Sequence, residues 1–520
     1  MSGKCRKIMY ALVVTVFAAF LWMICCENER KVTDTVIGET TVQSMRSGEK
    51  TVSLEQSDIP KIEIEDLTDA FTVILQYAPK DMLAGCTVDE SFLMWFYAQY
   101  GRDAVIHIAF DVLDGGNAPD VWYEETGNSI HVLWLLYCRD SGFGQHELEN
   151  VYWMQTAAAS EMVFGFAGDI NFAENWYTTE YMKEQQDGLR DCFSEDLLAQ
   201  MQAVDVMIMN NEFTYVNKKG ATSVYGKAYT FRADPQKAEL LEIFGTDTVT
   251  LANNHVYDYG KKGLLSTLDV LDQEGIPYSG AGRNLKDASK IIYYVMNGRK
   301  VAFVSATQIE RSKQYTKAAT ETEPGVLKAL HPEKFLKIVE EAAQNSDYVI
   351  AEVHWGTEGM LYPDQSQRHL AEQIAQAGAD VIIGGHPHRL QGTTFVGDVP
   401  IAYSLGNFWF STGTLYTTLA KVTITEDGTV KLSFVPCIQQ NLTTRILTEP
   451  EERSDFYEYL ASVSMDIGID ADGVVYNKNA DDYPAGEILY DSDTSQTDII
   501  GMADNEGDAI DIVGNLREDR

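Results

Sequence analysis

The chain has 520 residues, of which 45% are hydrophobic and 11% aromatic, and its formal net charge at pH 7 is −38. This composition supports sizeable buried cores and excludes a largely disordered chain. The negative charge repels nucleic acid, so we expect no nucleic-acid partner, and a polyanionic substrate would need local help from metal ions or a few Arg side chains.

The first 26 residues have the pattern of a membrane anchor. Lys4, Arg6 and Lys7 precede an uncharged apolar run over residues 8–26, which is long enough to span a bilayer as a helix. Basic residues before the run favour an N-terminus inside, which predicts a single-pass protein of the cell membrane with the bulk of the chain extracytoplasmic. A cleaved signal peptide and a lipoprotein at Cys25 or Cys26 remain alternatives.

Residues 27–56 are polar and lack periodicity, which is typical of a flexible linker. Residues 57–156 have a globular composition with aromatic-rich stretches, and we interpret them as an N-terminal extension domain of unassigned fold. This segment contains His107, His131 and His146 without ligand-like spacing, so a structural role is expected for each.

Residues 162–445 alternate short apolar runs with amphipathic helical patterns, which predicts an α/β domain with a largely parallel sheet. A polar–apolar alternation over residues 420–435, centred on Asp427 and Gly428, predicts a β-hairpin. Residues 446–520 are predicted to form a helical segment and an acidic tail. The candidate strands cover residues 163–167, 204–209, 248–252, 301–304, 349–353 and 381–383.

Polar motifs follow five of these strands, at the sheet edge where α/β proteins bind ligands. They contain two carboxylates, an Asn-His pair, a single His and a terminal His-x-His: Asp169, Glu212, Asn254, His255, His354, His386 and His388. Carboxylate, amide and imidazole ligands in this order predict a site for one or two divalent metal ions, with Mn, Fe, Zn or Mg as candidates.

Several longer runs resemble the CapA-type proteins, which are associated with poly-γ-glutamate capsule synthesis. The runs are residues 250–260, 280–284, 354–356, 385–388 and 403–408, and the resemblance covers roughly residues 162–440. CapA-type proteins are similar in fold to the calcineurin-like metallophosphoesterases. The resemblance therefore implies a layered α/β/β/α metallophosphoesterase-like domain, preceded by the transmembrane helix and the small N-terminal domain.

The resemblance also implies roles for the motif residues. Asp169 would bind the first metal and Glu212 would bridge both metals. The second metal would be held by Asn254, His354 and His386, with His388 returning to the first. His255 would be a proton donor or stabilise the transition state, so that His255 and Asp169 are the catalytic candidates.

One position departs from the phosphoesterase pattern. Phosphoesterases usually carry a His two residues after the first Asp, and this chain has Asn171 there. The first metal site is therefore expected to be poorer.

Three further residues are candidates for substrate binding. Arg232 and Arg283 could clamp an anion through paired hydrogen bonds, with a surface ion pair as the alternative for each. Asn407 could be an amide ligand or a turn residue.

These features predict a metal-dependent hydrolase of an amide or phosphoester bond in an anionic surface polymer such as poly-γ-glutamate, acting with membrane-embedded capsule synthesis components. One alternative is a noncatalytic polymer-binding or assembly partner. Another is a metallophosphoesterase of small substrates.

Overall fold

The computed structural model describes residues 67–79, 83, 86–115, 120–219, 222–310, 315–484, 486 and 488–492. The predicted anchor, the linker and the end of the acidic tail lie outside these residues. Of the described helices, none combines the length and the apolar character that crossing a bilayer requires.

The described residues form helices and strands in alternation after an N-terminal helical segment. The α-helices are α1 Leu67–Tyr77, α2 Glu90–Leu113, α3 Val121–Thr126, α4 Ile130–Ser141, α5 Tyr177–Glu184, α6 Glu195–Gln202, α7 Gly260–Glu274, α8 Leu285–Ala288, α9 Glu333–Gln344, α10 Gln365–Gln376 and α11 Pro450–Ser462. Short 3₁₀-helices cover Gln145–Leu148, Arg190–Cys192 and Pro235–Phe244.

The strands include all six that the sequence predicts. They are β1 Val151–Trp153, β2 Glu161–Ile170, β3 Val206–Asn211, β4 Thr214–Tyr215, β5 Arg232–Ala233, β6 Thr246–Thr250, β7 Tyr278–Ser279, β8 Ala281–Gly282, β9 Ile292–Met296, β10 Arg299–Thr307, β11 Gly325–Val326, β12 Tyr348–His354, β13 Val381–Gly385, β14 Thr393–Val396, β15 Val399–Ala402, β16 Asn407–Trp409, β17 Leu415–Thr425, β18 Val430–Gln440, β19 Thr443–Ile446, β20 Ile467–Ile469, β21 Val475–Asn477 and β22 Tyr490–Asp491.

The two large sheets are mixed, which corrects the expectation of one largely parallel sheet. One sheet has the order β1-β9-β10-β12-β13-β15-β14, and the other has the order β19-β18-β17-β2-β3-β6-β7 with β16 on β2. Strands β10, β12, β13 and β15 are parallel, as are β2, β3, β6 and β7. Antiparallel strands flank both parallel groups. In the first sheet, tight turns join β9 to β10 and β14 to β15. In the second sheet, β17 pairs antiparallel with β2, and a tight turn joins β17 to β18. The β17–β18 pair confirms the predicted hairpin.

Three buried clusters explain why the two sheets and their helices stack in layers. Between the sheets, Phe164 and Phe166 of β2 pack in one cluster with Phe303 and Ile350 of the other sheet. Alternate residues of the eight-stranded sheet, such as Met207 and Met209 of β3, share a second cluster with α6 and α7. A third cluster joins α9 and α10 to the outer face of the seven-stranded sheet. The α/β class is therefore confirmed.

The N-terminal extension, for which the sequence indicates no fold, is helical from α1 to α4 around its own cluster of buried aromatic residues. Two polar contacts fix this segment to the edge of the seven-stranded sheet. Ser129 Oγ donates to Asp347 Oδ2 at 2.6 Å, and Arg299 Nη1 lies 2.6 Å from Asp120 Oδ1. β1 pairs in parallel with β9 and so continues the sheet. The predicted domain boundaries themselves stay predictions.

The chain beyond residue 446 begins with a helix, α11, as expected. Strands β20, β21 and β22 then form a small antiparallel sheet that the sequence did not indicate. Its buried residues Ile467 and Ile469 belong to the cluster between the two large sheets. The C-terminal segment therefore contributes to the main core.

We predict that Gly168→Ala destabilises the domain, because a Cβ at this position would lie 2.1 Å from the backbone oxygen of Gly406. Backbone on both sides has to move, and overpacking of this kind typically costs about 1–3 kcal/mol. The free energy of unfolding in urea measures the effect. Gly413→Ala is the matched control, since its nearest contacts, at 3.5 Å and beyond, are ordinary. Equal destabilisation by both substitutions would contradict this account of Gly168.

Candidate metal centre

The predicted ligands come together where both sheets present the carboxyl ends of their parallel strands. Asp169 lies in β2 and Glu212 directly follows β3. Asn254 lies in the loop after β6, and His354 ends β12. His386 and His388 follow β13. All six side chains are buried, although they belong to two different sheets.

One half of the cluster surrounds the ring of His354. Its Nε2 atom lies 2.8 Å from Asn254 Oδ1, 3.2 Å from His386 Nδ1 and 3.5 Å from Glu212 Oε1. Four ligand atoms therefore converge on one small volume. Burial lowers the pKa of His354 to about 3, so its imidazole is neutral at neutral pH, which is the form that binds a metal.

The other half contains Asp169, Glu212 and His388. Nδ1 of His388 lies 3.1 Å from Asp169 Oδ2, and Nε2 lies 3.9 Å from Glu212 Oε1. Burial alone would lower the pKa of His388, but the two carboxylates outweigh it and raise this pKa to about 10. Glu212 belongs to both groups of three side chains whose ligand atoms lie within 4.8 Å of one another. This position between the groups agrees with the bridging role that the family resemblance implies.

The chemistry of the cluster fits divalent cations. Asp169 Oδ2 and Glu212 Oε1 are buried and accept no hydrogen bond, although His388 is near both. The Nδ1 atom of His388 is instead paired with Asn407 Oδ1 at 2.8 Å. Burial and the charge of Asp169 raise the pKa of Glu212 well above its usual value. Two buried oxygens without donors, beside the neutral imidazole of His354, are the environment that a bound cation stabilises.

Comparison with known proteins identifies a family that matches part of this chain. Residues 163–412 match the model of a family described as bacterial capsule synthesis protein PGA_cap. The match confirms the resemblance to the CapA-type proteins. We call residues 163–412 the CapA-type domain.

Relatives of known name are similar to about two fifths of the chain. The capsule biosynthesis protein CapA of Bacillus anthracis is 34% identical over 223 residues, which are 42% of this chain and 53% of that protein. The PGA biosynthesis protein CapA of Bacillus subtilis is 34% identical over 214 residues, or 40% and 55% of the two chains. A probable polyglutamine synthesis accessory protein of Mycobacterium tuberculosis is 26% identical over 212 residues, or 39% and 55%. The chain thus spans about half the length of these relatives.

Solved structures are similar at a lower level. A phosphatase from Mycoplasma pneumoniae aligns with a TM-score of 0.34 and 13% identity over 58% of this chain and 99% of that one. A 5'-nucleotidase from Candida albicans aligns with a TM-score of 0.30 and 11% identity over 55% and 54%. These scores are too low to support a conclusion about activity.

The backbone of the CapA-type domain is unusual where the two terminal imidazoles follow β13. His386 has a φ of 99° and His388 a φ of 57°, both in a region that costs a non-glycine residue about 1–3 kcal/mol. Gly385, just before them, lies so close to the cluster that a Cβ there would be 3.2 Å from Asp169 Oδ1 and 3.5 Å from His354 Nδ1. A glycine at position 385 therefore lets the backbone approach the ligands closely, a reason that the sequence analysis did not identify.

Asn210 is a residue of the centre that the sequence analysis did not assign. Its Nδ2 atom donates to Asp169 Oδ1 at 2.7 Å and to Glu212 Oε2 at 3.4 Å. Its Oδ1 atom accepts a hydrogen bond from Asn253 at 3.0 Å. One amide therefore orients both carboxylates. The doubled asparagines before Glu212 and His255 were the available signal.

His255 is positioned by a carboxylate three residues further along the chain. Its Nδ1 atom lies 2.8 Å from Asp258 Oδ2, which also accepts from the Phe231 N–H at 2.6 Å. The ring of Phe231 lies 4.4 Å from that of His255, centre to centre. Because Asp258 accepts a hydrogen bond from Nδ1–H, the ring presents Nε2 as its second functional atom. His255 is close enough to the centre to interact electrostatically with Glu212.

The three predicted substrate-binding residues lie in different surroundings. Arg232 is buried in an ion pair with Glu174 and donates to Val216 O at 3.0 Å. Arg283 binds Asp269 at 2.8 Å and Asp272 at 2.7 Å with a side chain that is 40% exposed, as the surface-pair alternative expects. Asn407 lies in the centre, because its Oδ1 contacts His388. Substrate contact by each stays a prediction.

We predict that Asn210→Ala weakens metal binding by about 10–100-fold, since the two carboxylates lose the group that orients them. The metal-free protein should also lose about 1–3 kcal/mol of stability, because buried acceptors are left without a donor. Metal titration and urea unfolding measure the two effects. Asn345→Ala is the control, since its amide donates to Glu341 O at an exposed site. An unchanged metal affinity would rule out this role for Asn210.

Proposed function

We propose that this protein is a membrane-anchored, extracytoplasmic hydrolase that cleaves an anionic surface polymer such as poly-γ-glutamate, using one or two divalent metal ions. The observation that carries the proposal is the pair of buried carboxylate oxygens without hydrogen-bond donors, surrounded by three imidazoles. The named relatives support the polymer, since their names refer to capsule, PGA or polyglutamine synthesis. The anchor rests on residues 1–26, which lie outside the described residues.

The ligand set divides into two positions that share Glu212. Asn254, His354 and His386 would hold one metal with it, and Asp169 and His388 would hold the other. Bound divalent metals would supply a Lewis acid for the scissile bond and lower the pKa of water. Asn210 keeps both carboxylates oriented toward this volume. An amide and a phosphoester are both compatible with these groups as the bond that is cleaved.

His255 would transfer the proton that the leaving group requires. Asp258 fixes its Nδ1 atom, so Nε2 is the atom that would donate. Asp258 in turn is held by the ammonium of Lys227 at 2.6 Å and by a backbone N–H. The ring is therefore fixed in orientation before substrate arrives, which is a requirement for efficient proton transfer.

One observation favours a second candidate function, a noncatalytic polymer-binding partner of membrane-embedded synthesis components. Asn171 occupies the position where phosphoesterases carry a His ligand, and its Oδ1 atom already accepts from the Ala173 N–H at 2.7 Å. Asn171 therefore supplies no imidazole to the metal position of Asp169 and His388, and its amide oxygen is engaged by a backbone N–H. A protein with one weak metal position could bind polymer without cleaving it.

We expect the full chain, purified in detergent, to contain about one or two transition-metal ions per molecule by elemental analysis. The double variant His386→Ala with His388→Ala should lose them, because it removes a ligand from each position. Adding Mn, Zn or Fe should raise the Tm of the wild type and leave that of the variant unchanged, since a ligand that binds only the folded state stabilises it. Absence of metal from the wild type, even after reconstitution, would refute the hydrolase and favour the binding partner.

We expect His255→Asn to lower kcat for polymer cleavage by about 10²–10⁴-fold, the usual contribution of a general acid, with metal content unchanged. Cleavage is followed as the release of shorter fragments from poly-γ-glutamate, and in parallel with model phosphoesters. His369→Asn, at an exposed position on α10, is the matched control. Full activity in His255→Asn would mean that the proton comes from another group.

A further inference from the structure

A lysine lies in the same row of residues as the metal ligands at the edge of the seven-stranded sheet. Lys328 pairs with Thr307, Thr307 pairs with His354, and His354 pairs with Gly385. Residues paired across a sheet direct their side chains to the same face. Since neighbouring strands are about 5 Å apart, the Cα atoms of Lys328 and His354 are about 10 Å apart. This distance is within reach of a lysine side chain and one bound anionic group.

The ammonium of Lys328 is not neutralised by direct contact with a carboxylate. Its Nζ atom donates to the carbonyl of Ile309, and within the described part of the chain it forms no ion pair. Burial lowers the pKa of Lys328 to about 8, while the charge of Glu310 acts to raise this pKa and the charges of Lys227 and Lys317 act to lower it. Burial therefore destabilises the charged form of Lys328, and a bound anion would reduce that destabilisation.

The surroundings of Lys328 are basic, in contrast to the chain as a whole. Lys227, Lys317 and Lys328 lie close enough to interact electrostatically, and Glu310 is the carboxylate among them. The Nζ atom of Lys227 lies 2.6 Å from Asp258 and 3.5 Å from Glu310, and it donates to the carbonyl of Asn254. Its contact with Asn254 joins this group to the metal centre. Lys227 is thus paired with carboxylates, whereas the ammonium of Lys328 contacts a carbonyl and no carboxylate among the described residues.

We propose that Lys328 is a substrate-binding residue whose ammonium binds a carboxylate of the polymer unit next to the one at the metal centre. The identity of the polymer rests on the proposed function, whereas the anion-binding role rests on the row of residues at the sheet edge. A lysine binds carboxylate or phosphate as a point charge, so the oxyanion is the chemistry that is recognised. We assign this oxyanion to a carboxylate of the polymer.

Isothermal titration of the metal-loaded full chain with penta-γ-glutamate tests the proposal. Lys328→Met should raise Kd by about tenfold or more, whereas Lys328→Arg should stay within about threefold of the wild type, since it keeps the charge. The α-methyl ester of the same oligomer lacks the carboxylates, and its Kd should not differ between wild type and Lys328→Met. Lys261→Met is the control for loss of one charge, because Lys261 is exposed and paired with Glu323 at 2.7 Å.

The outcomes separate this inference from the proposed function. Equal Kd values for the acid oligomer in wild type and Lys328→Met would overturn it, as would failure of the wild type to bind the oligomer. Binding of a phosphodiester polymer but not of the oligomer would overturn the carboxylate assignment. Binding that depends on Lys328 without any cleavage would refute the hydrolase and support the inference. If Lys328→Met does not fold, Lys328→Gln is titrated in its place, with the same expected loss.

Discussion

The burial of two carboxylates in one small volume is the constraint on which the centre depends. Asp169 and Glu212 are almost fully buried, and each keeps one oxygen that accepts no hydrogen bond. Charges removed from water without compensation are strongly destabilising, so the surrounding structure must supply either protons or cations. Asn210 supplies one donor shared by both groups. The same two carboxylates raise the pKa of His388 to about 10, which makes this imidazole the candidate for a compensating proton when no metal is bound.

The centre also requires that two sheets stay in register with each other. Asp169 and Glu212 come from the eight-stranded sheet, whereas His354 and His386 come from the seven-stranded sheet. The cluster of Phe164, Phe166 and their partners between the sheets therefore sets the distance between the carboxylates and the imidazoles. Since interiors are close-packed, a change of volume in that cluster would be transmitted to the ligands. Stability of the core and geometry of the centre are consequently coupled.

The sequence predicted those parts of the structure that local pattern controls. All six strands, the hairpin at Asp427 and Gly428 and the convergence of the ligands follow from apolar runs and from polar residues at their ends. Pairing between distant segments was not predictable in the same way. Strand β1 is only three residues long, too short for periodicity, and the tight turn at Asn297 and Gly298, which reverses β10 against β9, was a signal that went unused. The partners of Arg232, Arg283 and Lys328 depend on tertiary contacts and have no signature in the sequence.

The net charge of −38 would seem to oppose any polyanionic substrate, yet charge acts locally. At physiological ionic strength, interactions between exposed charges are screened beyond about 8 Å, so the distant carboxylates contribute little at the centre. Under the proposed mode of binding, a polymer would meet divalent metals and the ammonium of Lys328 there. The two arginines that the sequence offered for this role are already paired with carboxylates. Within this proposal, Lys328 supplies positive charge next to the metal ligands, which the net charge of the whole chain does not reveal.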